Sequence, residues 1–99
     1  MGQSLTTAPY DRRIAAAARG DVAACFELGI TFSTGTADVA IDMIEAHKWF
    51  NLAAMRGDSE AQQCRAEVAE ELTGREIATA QRAARAFLAM NAAAERRAA

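Results

Sequence analysis

The chain is short of aromatics, of cysteine and histidine, and of long apolar runs, on which sheets, zinc sites and membrane spans respectively draw. Of its 99 residues one is proline, one tryptophan, one tyrosine and one histidine, and aromatics amount to 6%. With β-branched side chains also few, this argues against a sheet, whose strands draw on such residues, and so against all-β and doubly wound α/β folds. Two cysteines and one histidine cannot supply a four-ligand zinc site. Without an export signal, two thiols read as reduced rather than bridged. No run of about 18 apolar residues is present to span a bilayer, and the first residues, MGQSLTTAPYDRR, lack the basic start and apolar stretch of a secretory signal. The expectation is a cytoplasmic chain that meets a membrane only through a protein partner.

What the chain has in excess is alanine, roughly a quarter of all residues and far above ordinary usage. Apolar residues reach 52%, yet the mean hydropathy is only −0.07, because most of that hydrophobicity arrives one methyl at a time. Alanine is the best helix former, so an all-α fold is expected, and the length allows one domain. The formal charge of −2 hides a division: residues 1–20 carry a net +2, residues 21–72 a net −7 and residues 73–99 a net +3. An acidic centre between basic ends suits ends that fold back on the middle. It disfavours nucleic acid as a partner, since phosphate affinity needs a concentrated basic face.

One string occurs twice: Ala18-Arg19-Gly20-Asp21-x-x-Ala24 and Met55-Arg56-Gly57-Asp58-x-x-Ala61. The period of 37 falls in the range of helix-pair solenoids, whose units cannot bury their apolar faces alone. Arginine closes a helix, glycine takes the left-handed conformation beyond its end, and aspartate caps the next helix. Each copy therefore predicts a tight corner between antiparallel helices.

The corners and caps divide the chain into five helices. Tyr10 to Arg19 follows Pro9. Asp21 to about Ser33 turns Cys25, Leu28, Gly29 and Phe32 inward. After a loop from Thr34 to Ile41, Asp42 opens a helix to Met55 with Ala46, Trp49, Phe50 and Ala53 on one stripe. Asp58 opens a helix to Leu72 with Ala61, Cys64, Val68 and Leu72 inward. Thr73-Gly74-Arg75-Glu76 reads as a capping box before a last helix to about Ala94, with Ile77, Ala80, Ala84, Phe87 and Leu88 inward. Gly29, in mid-helix at about 1 kcal/mol relative to alanine, needs a close approach by a neighbouring backbone to explain it.

The residues Ala24, Leu28, Gly29, Phe32, Ala46, Trp49, Phe50, Ala53, Gly57 and Asp58, with Gly20, Asp21, Gly35 and Asp42, resemble one complete Sel-1-like repeat, a relative of the tetratricopeptide repeat. EAHKWFNLAAMRGDSEA is similar to the terminal repeats of bacterial members, and LTGREIATAQRAARAFL to the helix that closes them. The resemblance implies a right-handed α-α superhelix. It divides the chain into a disordered start (1–9), a single domain (10–94) and a disordered tail (95–99). Within the domain it gives a degenerate N-terminal helix at 10–20, a complete repeat at 21–57 and a capping helix pair at 58–94. Departures mark the ends of the array. Arg65, Ala66 and Ala69 stand where the complete repeat has Leu28, Gly29 and Phe32, and Arg12 and Arg13 replace Trp49 and Phe50. The loop from Gly35 to Asp42 is one residue longer than the usual spacing. The inter-helix disulfide of some secreted relatives has no second cysteine here.

By the same resemblance the function expected is protein binding: a small scaffold or accessory subunit, not an enzyme, needing no cofactor, metal or small-molecule substrate. Candidate partner-binding residues on the first helices of each pair are Glu27, Ile30, Thr31, Arg65 and Glu67. So short an array leaves an apolar end uncovered, which implies self-association or a larger assembly. Two rivals are a hydrolase and an adaptor that binds a membrane surface or nucleic acid through the basic ends. The first lacks a serine or cysteine paired with histidine and acid, and the second lacks aromatics interleaved with its arginines.

The remaining motifs have plain readings. The two Arg-Gly-Asp strings are helix corners rather than adhesion ligands. Gly2 in Met1-Gly2-Gln3-Ser4-Leu5-Thr6 fits an acylation pattern that a bacterial-type composition makes idle. His47 is expected to be a solvated surface residue. Asp38, Asp42 and Glu45 serve as caps and solvated charges rather than cation ligands, and Cys25 and Cys64 as small core residues. Arg75, Arg82, Arg85, Arg96 and Arg97 are expected to pack near Glu67, Glu70 and Glu71.

Overall fold

In a computed structural model, which describes residues 9–98, the chain folds into five helices: α1 (Pro9–Ala18), α2 (Val22–Thr34), α3 (Met43–Met55), α4 (Ser59–Ala69) and α5 (Gly74–Ala98). No strand occurs among the described residues. The expectations for residues 1–8, including the acylation pattern at Gly2, lie outside them.

Local chemistry sets the helix ends. Gly20 and Gly57 both have φ +96°, a value that side chains rarely tolerate. At the first corner the Gly20 amide donates to the Ala17 carbonyl and the Asp21 amide to Ala16; at the second, Gly57 donates to Ala54 and Asp58 to Ala53. This is the same paired closure in both copies. Asp21 then caps α2 by accepting from the Ala24 amide at 3.1 Å, and Asp58 caps α4 by accepting from Ala61 at 3.0 Å. The corners are neighbours in space, because the Arg56 guanidinium donates to the Gly20 carbonyl at 3.2 Å. Asp42 caps α3 through the amides of Ile44 and Glu45. The Thr73–Glu76 box opens α5 through reciprocal bonds of 2.8 and 3.1 Å.

The extents differ from expectation at three places. Pro9, expected in the disordered start, is the first residue of α1, where its missing amide hydrogen is not needed. Helix α4 stops at Ala69 rather than Leu72. The tail expected to be disordered from residue 95 continues α5 to Ala98.

Helix α3 is the hub. It packs against α2, α4 and α5, and it buries Ala46, Trp49, Phe50, Leu52, Ala53 and Ala54. Contacts between α2 and α3 run in opposite sequence directions, Phe32 with Asp42 and Phe26 with Phe50, as antiparallel neighbours do. Gly29 answers its sequence puzzle with a ring rather than a backbone. A Cβ there would lie 2.5 Å from two carbons of Phe50, so only glycine leaves room for that ring against α2. The Trp49 and Phe87 rings meet edge to face at 4.9 Å, which fixes α5 on α3. The Trp49 indole donates to Glu45, and Lys48 lies over both rings.

Two expectations about this closure need correction. Helices α4 and α5, expected as a closing pair, each pack on α3, and they share no extended contact with one another; α5 instead reaches the end of α1. Correspondingly, no ion pair joins Arg75, Arg82 or Arg85 to Glu67, Glu70 or Glu71 among the described residues. The aromatic anchor at Phe87 draws α5 toward Trp49 and leaves its arginines facing solvent.

Candidate binding groove

Because α2 and α4 both lie on α3 without packing closely on each other, an open groove separates them. It is lined by Ile30 and Ser33 from α2, Met43 and Phe50 from α3, and Cys64, Glu67, Val68 and Glu71 from α4 and the turn after it, and has a volume of about 280 Å³. Phe50 forms its floor, held in place by Gly29 beneath it and by Phe26 at 5.6 Å. Ile30 remains 39% exposed, so the apolar lining reaches solvent. Glu67 and Glu71 are exposed on the rim, and neither makes an ion pair among the described residues. No basic residue lines the groove.

The electrostatics of the groove register on Cys64. Its thiol pKa is raised, first by burial and then by the negative charges of Glu67, Glu60 and Asp58. A thiol held protonated is a poor nucleophile. Cys25, buried in the core, is likewise raised chiefly by burial.

The candidate contact residues divide. Ile30 and Glu67 line the groove together. Glu27 is exposed, but it lies in a separate cleft between α1 and α2, with Arg12, Arg13 and Asp21. Thr31 is not available on the surface: it is 8% exposed, its hydroxyl donates to the Glu27 carbonyl at 2.9 Å, and it accepts from Arg13 at 3.3 Å. Arg65 is turned back onto α3 by a 2.6 Å bond to the Asn51 side chain. Met43 and Ser33 were not expected from the sequence to be contact residues, and Glu71 was expected only to lie near the arginines of α5, since only the placement of α4 beside α2 brings the three to one groove. The repeat-signature residues serve as core and corners: Ala24, Leu28, Gly29, Phe32, Ala46, Trp49, Phe50 and Ala53 are buried, while Gly57 and Asp58 form the second corner.

His47 corrects the expectation of a solvated residue. It is 3% exposed, and its Nδ1 has no hydrogen-bond partner among the described residues. Its pKa is lowered, first by burial and then by the Arg65 charge. It lies outside the stripe of Ala46, Trp49, Phe50 and Ala53 by which α3 was read, and it is buried near enough to α4 to feel the Arg65 charge. No hydrogen bond ties it to an acid that could orient it for proton transfer. No group of three or more His, Cys, Asp or Glu side chains among the described residues is arranged to hold a metal ion. Asp42 is engaged as a cap, and Glu45 by Trp49 and Lys48. No described helix is long and apolar enough to cross a membrane.

Compared with known proteins, the chain has no significant match among protein-family models, curated proteins or solved structures.

Proposed function

We propose that the chain is a non-catalytic protein-binding module, a short Sel-1-like helix-pair solenoid that acts as a scaffold or accessory subunit. The observation that carries this reading is the groove between α2 and α4: an apolar floor of Phe50, Val68 and Met43, open to solvent at Ile30, under an unpaired acidic rim. Such a mixture of apolar anchor site and charged rim is the make-up of a protein interface rather than of a site for proton or acyl transfer. The solenoid arrangement is supported by the two corners of identical geometry, stacked through Arg56 and Gly20. Affinity capture with the tagged chain tests the function. Proteins held by the wild type are expected to be lost with Ile30→Glu or Glu67→Lys and kept with Gln62→Lys, an exposed α4 position outside the groove lining. Capture that is indifferent to the two groove substitutions refutes this reading.

A further inference from the structure

The charge division of the sequence is not resolved inside one molecule. The acids of α4 and the arginines of α5 were expected to meet, and they do not: Glu67 and Glu71 stand unpaired at the groove, and Arg75, Arg82 and Arg85 stand exposed and without ion pairs. The solvent face of α5 has a particular make-up. Its exposed positions include Arg75, Arg82, Arg85, Ala86, Ala89 and Met90, the last at 68% exposure. The alanines present no bulk, so this face can approach another surface closely. The arginines supply positive charge, and Met90 supplies a flexible apolar contact. The groove offers the complement: apolar lining, acidic rim and no basic residue.

We propose that the groove receives the exposed face of α5 from a second copy of this chain. The inference rests on the groove being a docking surface, as set out above, and adds its occupant. Groove and α5 face are different surfaces, so the contact is head-to-tail. It closes into a ring if the rotation allows and otherwise grows with concentration. Because arginine–glutamate pairs at an exposed rim are screened by salt, assembly weakens as ionic strength rises.

Sedimentation of two charge-reversed variants and their mixture tests this. All substituted positions are exposed, and circular dichroism verifies that helix content is kept. Glu67→Lys/Glu71→Lys alone, and Arg82→Glu/Arg85→Glu alone, are each expected to associate about tenfold more weakly than the wild type, or worse. Mixed in equal amounts they are expected to recover assembly, because each groove then meets an α5 of opposite sign. If either reversal unfolds the chain, Cys64 in the wild type gives the answer. Its alkylation should slow as protein concentration rises at low salt and recover at high salt, while the buried Cys25 contributes little background. A wild type that stays monomeric at low salt, variants that associate like the wild type, a mixture that does not recover, or Cys64 reactivity independent of concentration overturns the proposal. If the wild type is monomeric while capture of another protein still depends on Ile30 and Glu67, the second copy is excluded and the groove reading stands.

Discussion

Substituting Gly29 by alanine separates packing from helix propensity, because the two act in opposite directions. In open helix, Gly→Ala stabilises by about 1 kcal/mol. At Gly29 the new Cβ would lie 2.5, 2.5 and 2.8 Å from three ring carbons of Phe50, against about 3.5–4.0 Å for an ordinary carbon contact. The ring must therefore move by about 1 Å. Phe50 is 1% exposed and lies against Phe26, so the ring can yield only by being pushed out of its packing toward the groove it lines. Forcing an extra group into a well-packed site costs about 1–3 kcal/mol. A contact this short with three atoms belongs at the upper end, which leaves a net loss of about 2 kcal/mol after the propensity gain and a fall of roughly 10 °C in Tm for a domain of this size. Urea unfolding followed by the fluorescence of Trp49, the only tryptophan and buried in the core, measures it. Gly74→Ala is the control: nothing lies within 4 Å of its would-be Cβ, and no loss is expected. Phe50→Leu should be less damaging in the Gly29→Ala background than in the wild type, since it removes the obstructing ring carbons. A Gly29→Ala variant as stable as the wild type, or more so, refutes the packing account.

Two further perturbations follow from the caps and the buried histidine. Asp21→Ala and Asp58→Ala should each lower stability by about 1 kcal/mol in urea unfolding, and by similar amounts, since the caps share φ near −74° and ψ of 108°; a large difference between them contradicts the equivalence of the corners. His47 has a folded-state pKa below its ordinary value of 6.5, so under mild acid the unfolded chain binds a proton that the folded chain refuses. Its contribution to stability is full above that value and is lost as pH falls below it. The urea midpoint of the wild type should thus fall more steeply than that of His47→Gln on acidification below about pH 6.5, and parallel curves refute the buried neutral imidazole.

Much of the fold could be read residue by residue. Asp21, Asp42 and Asp58 cap the helices expected of them, and the Thr73–Glu76 box has both of its bonds, because a cap depends on atoms three residues away. The inward stripes of α2 and α3 were visible from spacing, with Leu52 as an omission: it is 2% exposed because α3 is covered on more sides than one stripe predicts. Of the groove, Ile30 and Glu67 were anticipated, whereas Thr31 was assigned to the surface and is covered by Arg13.

The amino-acid sequence by itself determined the number of helices and the two matched glycine corners, since each follows from short-range hydrogen bonds, a left-handed φ or a helical period, whereas the ring that demands glycine at position 29 comes from another helix. It could not determine which helices become neighbours. That choice was made by non-local packing: Phe87 against Trp49 carries α5 to α3 and away from the acids of α4. The same packing buries His47 at the hub and opens the groove floored by Phe50. Exposure is a property of a side chain and the element that covers it, and the covering element lies elsewhere in the chain.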